Sequence, residues 1–498
     1  ISVFTTVNST QAQIVSTITV TPTFTNGGVS CEGASETFTI TVNPIASVVA
    51  TPVSGVLCSE DSTAITLTSI SSGTTAVTYA WVANIHSSPL GGTITGFSSQ
   101  SVGLNSSIIQ TLNNSGTSPG VVRYTITPYI DSCAGTSIDV DVTVNPKGQV
   151  NAISNQVLCT GEATALVTFD TENTGGTTTY SWFMDTPIGL SPTSGTGNLP
   201  SFTTANAGIT PLVSIVTVTP TFENNGISCI GTPDTFTITV NPTPEISAQI
   251  AEICSGEAFT ITPVNGNNGD IVPVGTTYTW TVVSNSNVDG EANVITPQSS
   301  VSQTLTNTSN TEQTIVYTVT PTSGASGACV GASFTVTVTV LPTPIVTAST
   351  LSAVICSTDA PSISLSTVNT PTTPGVFNVT YGWTVSVLTP PVGGSLSGFS
   401  DQSSSSLATI AQVLTNSGTS PGIVRYIVTP YIGSCAGASI NVDVTVNPKG
   451  QVNAVADLVF CTGEASTVVA FGTQNTTGIT SYAWSMDTEI GLGTLSGL

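Results

Sequence analysis

The sequence predicts an all-β protein built from tandem antiparallel β-sandwich repeats of about 100 residues each. Three observations lead to this fold class. Short segments alternate apolar residues with Thr, Ser or Asp, as in 236–240, which is typical of strands with one buried face. No segment shows the apolar period of an amphipathic helix. A set of landmark residues also recurs in the same order along the chain.

A Val-x-Pro tripeptide ends the last predicted strand of each repeat. Proline cannot donate a ladder hydrogen bond, so it terminates the strand and marks a boundary. The prolines are spaced 102, 96, 100 and 106 residues apart, at Pro44, Pro146, Pro242, Pro342 and Pro448. The predicted organisation is a half repeat at 1–43, whole repeats at 44–145, 146–241, 242–341 and 342–447, and a half repeat at 448–498.

Each repeat carries three further landmarks in a fixed order. An early cysteine precedes the second strand, at Cys58, Cys159, Cys254, Cys356 and Cys461. A Tyr-x-Trp strand follows, and its tryptophans are predicted core anchors: Trp81, Trp182, Trp280, Trp383 and Trp484. A late cysteine in a Cys-x-Gly turn precedes the last strand, at Cys31, Cys133, Cys229, Cys329 and Cys435.

Longer segments are also duplicated. Residues 113–182 recur at 415–484 with an offset of 302, and residues 4–44 recur at 202–242 with an offset of 198. We name the repeats from 44, 146 and 242 types A, B and C, so the order is B(end)-A-B-C-A-B(start). The two half repeats would together form one B sandwich. Two interpretations follow: a window of a longer repetitive chain, or chains that polymerise by completing a split sandwich.

Composition excludes several classes of function. Asp plus Glu outnumber Lys plus Arg 27 to 4, so no basic surface for nucleic acid is expected. No run of about 18 apolar residues predicts a membrane span in this segment. The ten cysteines, without a CxxC pair, predict disulfides and an oxidising compartment.

The candidates for chemistry are few. His86 is the only histidine and is expected in a loop beyond the Trp81 strand, so no catalytic base is predicted. Asp139 and Asp141 share one strand face, which favours a solvated surface over a glycosidase pair. Acids that follow the early cysteines are calcium candidates or, alternatively, turn-capping residues: Glu60, Asp61, Glu162, Glu257, Asp359 and Glu464. We expect no cofactor, with calcium as the alternative.

These motifs resemble a known family. Cys-x-Gly-Glu at 159–162 and 254–257, the Tyr-x-Trp strand and the Val-Asn-Pro ending are similar to PKD-like and Ig-like repeats of giant secreted Bacteroidota proteins. Gliding-motility adhesins exported by type IX secretion are among them. Trp182 is followed by Phe-Met-Asp rather than the better-known Asp-Phe-Gly-Asp-Gly. The resemblance implies surface display, adhesion or filament formation.

The cysteines allow two pairing schemes. Pairs inside one repeat would be Cys58–Cys133, Cys159–Cys229, Cys254–Cys329 and Cys356–Cys435. In an Ig-like strand order the early and late cysteines lie at opposite ends of a repeat, about 27 Å apart for an eight-residue strand, which favours pairs between neighbours. Those pairs are Cys58–Cys229, Cys159–Cys329 and Cys254–Cys435. Cys31 and Cys133 would then pair upstream, and Cys356 and Cys461 downstream.

The predicted function is a disulfide-braced, protease-resistant stalk or fibre of an extracellular or cell-surface adhesin. Its predicted partners are further copies of the repeats and a host surface, a substratum or glycans. The rival hypothesis is a series of carbohydrate-binding modules. Sugar sites usually need exposed aromatic residues, however, and the five tryptophans all occupy the predicted core position.

Overall fold

The computed structural model describes residues 1–73, 75–372 and 374–488. The chain forms two compact units: one holds Ile1–Pro242 with Ala325–Gly327, and the other holds Thr243–Gly324 with the residues from Ala328 onward. The predicted all-β class is confirmed. Over the described ranges there are 40 strands, and the only helical element is one turn of 3₁₀ helix, Asn267–Gly269.

Residues 1–43 contain two antiparallel hairpin-like pairs, β1 with β4 and β2 with β3. Their strands are β1 Ile14–Val20, β2 Thr23–Asn26, β3 Val29–Glu32 and β4 Glu36–Val42.

The first A repeat is a complete sandwich. Its strands are β5 Val49–Thr51, β6 Ser54–Cys58, β7 Ile65–Thr68, β8 Thr78–Ser87, β9 Ile94–Thr95, β10 Gln100–Gly103, β11 Ser107–Ile108, β12 Asn113–Asn114, β13 Gly120–Ile130, β14 Cys133–Ala134 and β15 Ile138–Asn145. One sheet has the order β10-β8-β13-β15-β6, with β14 added to β13. The second has the order β11-β7-β5, and β12 pairs with β9.

The B repeat has one large sheet in the order β16-β21-β19-β17-β18, with β20 added to β19. Its second layer is held by isolated bridges, such as Val167 with Leu199. The strands are β16 Gln156–Cys159, β17 Thr177–Met184, β18 Ser194–Thr196, β19 Leu212–Asn224, β20 Ile227–Ile230 and β21 Asp234–Asn241.

The C repeat pairs a sheet of order β22-β29-β28-β24-β26 with a sheet of order β23-β27-β25. Its strands are β22 Gln249–Cys254, β23 Glu257–Ile261, β24 Thr277–Val282, β25 Val288–Asp289, β26 Val294–Gln298, β27 Val301–Asn307, β28 Gln313–Thr322 and β29 Phe334–Leu341.

The second A repeat repeats the topology of the first. Its sheets are β31-β40-β38-β33-β35 with β39 on β38, β30-β32-β36, and β34-β37. The strands are β30 Thr347–Ala348, β31 Ser352–Cys356, β32 Ile363–Ser366, β33 Val379–Thr389, β34 Leu396–Ser397, β35 Gln402–Ser405, β36 Thr409–Ile410, β37 Thr415–Asn416, β38 Gly422–Ile432, β39 Cys435–Ala436 and β40 Ile440–Asn447.

The strand that carries each early cysteine pairs in parallel with the last strand of its repeat. In the first A repeat, β6 runs beside β15 with Cys58 level with Asn145. The same pairing joins β16 to β21, β22 to β29 and β31 to β40. Because Asn145 ends β15, this register places Cys58 at the end of the repeat from which the chain continues.

Alternating side chains form the core between the layers. β13 buries every second residue, and the largest of them, Tyr124, is fully buried and donates its hydroxyl hydrogen to Gln110 Oε1 at 2.9 Å. Four of the five predicted anchors are buried, at 3–7% exposure: Trp81, Trp182, Trp280 and Trp383. The pleat of the strand explains this, because positions two apart share one face.

Trp484 does not follow the prediction of a core anchor, since it is 36% exposed. Between 448 and 488 the structure has no strand, so no neighbouring strand covers this indole. Residues 14–42 do form strands, yet most of their apolar side chains stay exposed, as at Phe38 with 45%. A sandwich face is buried only when a second layer packs on it.

A buried asparagine in each whole repeat ties a loop to the last strand. Asn114 donates its Nδ2 hydrogens to the carbonyls of Ser118 at 2.9 Å and Val144 at 2.7 Å, and its Oδ1 accepts from Gly116 N at 2.9 Å. The equivalents are Asn206, Asn307 and Asn416. Removing such a side chain leaves buried backbone groups without partners, which destabilises by about 1–3 kcal/mol.

Asn114→Ala is therefore expected to lower the opening free energy of the first A repeat by about 1–3 kcal/mol. Native-state hydrogen exchange would show faster exchange in β12, β13 and β15. The near-duplicate strands β37, β38 and β40 are the internal control and should exchange as before. Equal exchange in both sets would contradict the role of the side chain.

Candidate functional site

The sites that distinguish this chain lie where one repeat meets the next. In the first unit, Cys58 at the end of β6 forms a disulfide with Cys229 in the β20 hairpin of the following repeat, with Cα atoms 5.4 Å apart. In the second unit, Cys254 at the end of β22 bonds Cys435 in β39, with Cα atoms 5.5 Å apart. Each disulfide thus crosses a predicted repeat boundary.

The joint between the first A repeat and the B repeat, which we call the A–B joint, is also held by polar contacts. Asn145 is fully buried, accepts from Asn224 Nδ2 at 2.9 Å and donates to the Asn224 carbonyl at 3.3 Å. The linker follows closely: Gly148 N donates to the Cys229 carbonyl at 3.2 Å. A Cβ at Gly148 would lie 2.6 Å from the Pro220 carbonyl oxygen, so only glycine fits here.

The joint between the C repeat and the second A repeat, the C–A joint, is apolar around the residue that ends β29. Leu341, which ends β29, is 5% exposed and packs with Phe377, Ile432 and the disulfide-bonded Cys435 in one buried cluster. One backbone hydrogen bond also crosses this joint: Thr370 N donates to the Asn310 carbonyl at 3.2 Å.

Pairing inside one repeat does not occur at the described disulfides. Cys229 and Cys435 are bonded to cysteines of the preceding repeats, which excludes Cys58–Cys133, Cys159–Cys229, Cys254–Cys329 and Cys356–Cys435. In the first A repeat, Cys58 is level with Asn145 whereas Cys133 pairs with Ile130 at the other end of β13. About eleven residue steps, or roughly 35 Å, separate these levels.

The remaining cysteines fall into two groups. Cys159 and Cys329 are not free thiols, and their pairing with each other stays a prediction. Four cysteines are exposed free thiols: Cys31, Cys133, Cys356 and Cys461. Their predicted upstream and downstream partners also stay predictions.

Three of the six calcium candidates cap turns with their side chains. Carboxylate oxygens accept hydrogen bonds from the amides of the early cysteines: Asp61 from Cys58 at 3.1 Å, Glu162 from Cys159 at 2.8 Å and Glu464 from Cys461 at 2.9 Å. Glu60 instead pairs with Lys147 Nζ at 2.5 Å, Glu257 begins β23, and the Asp359 amide closes a turn on the Cys356 carbonyl. Among the described residues, no group of three or more His, Cys, Asp or Glu side chains comes together for a metal ion.

The two aspartates on β15 face an arginine. Arg123 Nε and NH2 bind the two oxygens of Asp141 at 2.7 Å each, and NH1 lies 3.5 Å from Asp139. Hydrogen bonding to Arg123 holds the pKa of Asp141 below its ordinary value. His86 lies inside β8 rather than in a loop, at the bulge between Val121 and Val122 in its pairing with β13. Its exposed imidazole contributes to the lowered pKa of Asp141.

Sequence reasoning missed the joint residues other than the cysteines. In the Val-Asn-Pro motif, strand termination by the proline predicts a boundary but gives no role to the asparagine. The signal was present: Asn stands at this position in the A and B repeats, while the C repeat has Leu341. Partners such as Asp131 for Asn43 and Asn224 for Asn145 lie 88 and 79 positions later in the chain, and a single sequence gives no rule for pairing residues so far apart.

The fold and joints define a tandem β-sandwich repeat protein whose neighbouring repeats are linked by disulfides. A model of the family described as "PKD-like domain" matches residues 55–148, 251–344 and 353–450. These ranges cover more than half of the chain, and the chain belongs to this family. The B repeat at 146–241 lies almost wholly outside them.

Several solved structures share a weaker likeness. Protocadherin Gamma B2 extracellular cadherin domains 3-6 have 10% identity and a TM-score of 0.26, covering 81% of this chain and 100% of that chain. The human Desmocollin-1 ectodomain has 12% identity and a TM-score of 0.23, covering 76% and 77%. Drosophila N-cadherin EC1-4 has 12% identity and a TM-score of 0.21, covering 79% and 100%. TM-scores of this size carry no argument. No curated protein matches the chain.

Peptide mapping without reduction is expected to recover Cys159 bonded to Cys329, beside the Cys58–Cys229 and Cys254–Cys435 peptides. The expectation follows from the position of each early cysteine at the end of its repeat. A peptide that joins Cys159 to Cys229 would contradict the neighbour scheme. Alkylation before digestion guards against exchange from the four free thiols.

The Arg123–Asp141 pair predicts an acid-side loss of stability. A carboxylate with a lowered folded pKa contributes stability above its unfolded value, here 3.8, and loses it as the pH falls through the folded value. Asp141→Asn should therefore lower the calorimetric unfolding temperature at neutral pH and match wild type at about pH 2. Asp139→Asn, whose carboxylate is only 3.5 Å from Arg123, is the control with a smaller effect. If the difference in unfolding temperature between Asp141→Asn and wild type stayed the same at about pH 2, the Arg123–Asp141 pair would not be its source.

Proposed function

We propose that this chain is a structural repeat region of an extracellular adhesin or surface filament. It acts as a protease-resistant stalk or fibre whose joints are braced by disulfides. The observation that carries the proposal is the position of Cys58–Cys229 and Cys254–Cys435, since each bonds the end of one repeat to a hairpin of the next. A disulfide inside one sandwich would stabilise that sandwich only, whereas these restrict bending between sandwiches.

The chemistry of the chain supports an extracellular place. Structural disulfides persist in oxidising compartments. With 4 Lys and Arg among 498 residues, trypsin-like proteases find few sites. The net charge of -23 keeps a Thr- and Ser-rich surface soluble and self-repelling. Over the described residues, no helix is long and apolar enough to cross a membrane.

The family resemblance of the sequence motifs supports the finer proposal. Giant secreted repeat proteins of Bacteroidota, including gliding-motility adhesins and type IX secretion substrates, are the setting that we propose. Attachment, biofilm formation or gliding would then use the chain as a spacer. Its partners would be further copies of the same repeats and, at the far surface, a host, a substratum or glycans.

Four of the five tryptophans give no support to the rival carbohydrate-binding function. Trp81, Trp182, Trp280 and Trp383 are buried in the sandwich cores, so they offer no aromatic platform to a sugar ring. Quenching of tryptophan fluorescence by glycans would revive the rival hypothesis.

Negative-stain microscopy of the native material tests the proposed function. A stalk is expected to appear as a thin thread one β-sandwich wide, made of bead-like domains of about 100 residues each. Isolated compact particles would contradict a stalk. A thick, laterally assembled fibre would support the filament form over the single-chain stalk.

Loss of the brace is expected to expose the linker of the A–B joint. In Cys58→Ser/Cys229→Ser, a protease that cleaves beside apolar residues should cut near 146–153 faster than in wild type, because the two repeats can separate. Cys133→Ser, which removes an exposed free thiol, is the matched control and should leave cleavage unchanged. Equal cleavage of the double variant and wild type would show that the disulfide does not brace the joint.

A further inference from the structure

The two A repeats are near-duplicates that follow different repeats. The first follows a B-type segment that ends in Asn43, and the second follows the C repeat, which ends in Leu341. Both of these residues stand directly before the boundary proline. Their surroundings can therefore be compared position by position, with the shared fold held constant.

In the first A repeat this position is met by polar groups. Asn43 Nδ2 donates to Asp131 Oδ2 at 2.7 Å, and Thr75 Oγ1 donates to Asp131 Oδ1 at 2.7 Å. Gln13 Nε2 also donates to Asn43 Oδ1 at 2.7 Å. The Asp131 carboxylate thus receives hydrogen bonds both from the preceding segment and from its own repeat.

In the second A repeat the corresponding positions hold apolar side chains or glycine. Leu341 packs with Phe377, which is 6% exposed, and with Ile432, which is fully buried. Phe377 corresponds to Thr75, because each lies four residues before the tyrosine of the Tyr-x-Trp strand. Gly433 corresponds to Asp131, because both hairpins read Pro-Tyr-Ile-x-Ser-Cys-Ala-Gly.

The backbone of the hairpin shows why this exchange is informative. Asp131 has φ +49° and Gly433 has φ +57°, the left-handed region that favours glycine. Glycine is therefore the easier residue at both positions. Asp131 takes this conformation in the repeat where Asn43 and Thr75 donate to it. At this position in the second A repeat a carboxylate would lack both donors, because Leu341 and Phe377 stand in their place.

We propose that these three positions form a matching surface that fits each A repeat to the strand end of the repeat before it. The A repeat with Thr75 and Asp131 accepts a strand that ends in Val-Asn-Pro. The A repeat with Phe377 and Gly433 accepts a strand that ends in Val-Leu-Pro. The partner of this surface is thus the last strand of the preceding repeat, chosen by amide hydrogen bonding or by apolar packing.

The A–B joint supplies a third kind of match. There Asn145 ends the strand and Asn224 lies in the facing hairpin: the Asn145 side chain donates to the Asn224 backbone carbonyl, and the Asn224 side chain donates to Asn145 Oδ1. At these three joints the ending residue is therefore met by groups of like polarity. Correct docking also brings the early cysteine beside the late cysteine at the A–B and C–A joints, so the match would select the disulfide partner.

The test swaps the matching set at the C–A joint of the full chain. The variants are Leu341→Asn alone, Phe377→Thr with Gly433→Asp, and all three changes together. Each reduced chain is refolded in a glutathione redox buffer, and peptide mapping gives the equilibrium constant for the Cys254–Cys435 disulfide. Mismatched docking lowers the effective concentration of the two thiols, so the first two variants should lose about tenfold.

The triple variant should recover most of that loss, since it rebuilds the polar set found around Asn43. Hydrogen exchange in β33 and β38 confirms that the second A repeat is folded in each variant, and Cys58–Cys229 is the internal control. Recovery in the triple variant supports a matching surface. The proposal would be overturned if the triple variant were no better than Leu341→Asn, or if either of the first two variants equalled wild type.

Discussion

The parallel pairing between the early strand and the last strand of each repeat is the constraint on which the joints depend. Successive strands of an antiparallel sheet terminate at alternating ends of the repeat. The strands β6, β16, β22 and β31 instead run parallel to the last strand of their repeats and terminate at the same end as it does. Each of these strands ends in a cysteine level with the residue that precedes the boundary proline. A thiol is thus carried to the exit end of the repeat, beside the place where the next one begins.

Two physical means hold the ending residue once it is there. At the A–B joint, Asn145 is fully buried and its amide is satisfied by Asn224. At the C–A joint, Leu341 needs no partner atom but requires the cover of Phe377 and Ile432. Hydrogen bonds fix direction, since their donors and acceptors must align. Apolar packing depends on shape and buried area, which permits more rotation.

Much of the fold was predictable because it depends on local periodicity. Alternation identified β21 at 236–240, and the Tyr-x-Trp spacing placed Trp81, Trp182, Trp280 and Trp383 in the core. The prediction that Trp484 lies in a core was wrong, because burial of its indole needs a second layer of the sandwich, which sequence periodicity does not supply. The position of the early cysteines at the far end of a repeat was inferred from an Ig-like strand order, and it predicted Cys58–Cys229 and Cys254–Cys435, which the structure forms.

The joint partners lay beyond such reasoning. Asn43 and Asp131 are 88 positions apart, and Asn145 and Asn224 are 79 apart, so no local pattern links them. The capping carboxylates of Asp61, Glu162 and Glu464 could be seen only as acids near cysteines. Whether they bind a cation or an amide depends on the turn geometry, which places the cysteine amide at the carboxylate.

The disulfides also impose an order on folding. Cys58 bonds a residue 171 positions later, and Cys254 bonds one 181 positions later. Neither pair can meet by local turn formation, because each thiol is positioned by a finished sandwich and by docking of the next. A chain that folds from its N-terminus must hold Cys58 reduced until the B repeat is complete. Each disulfide would then form only after the two successive repeats that it joins have folded and docked.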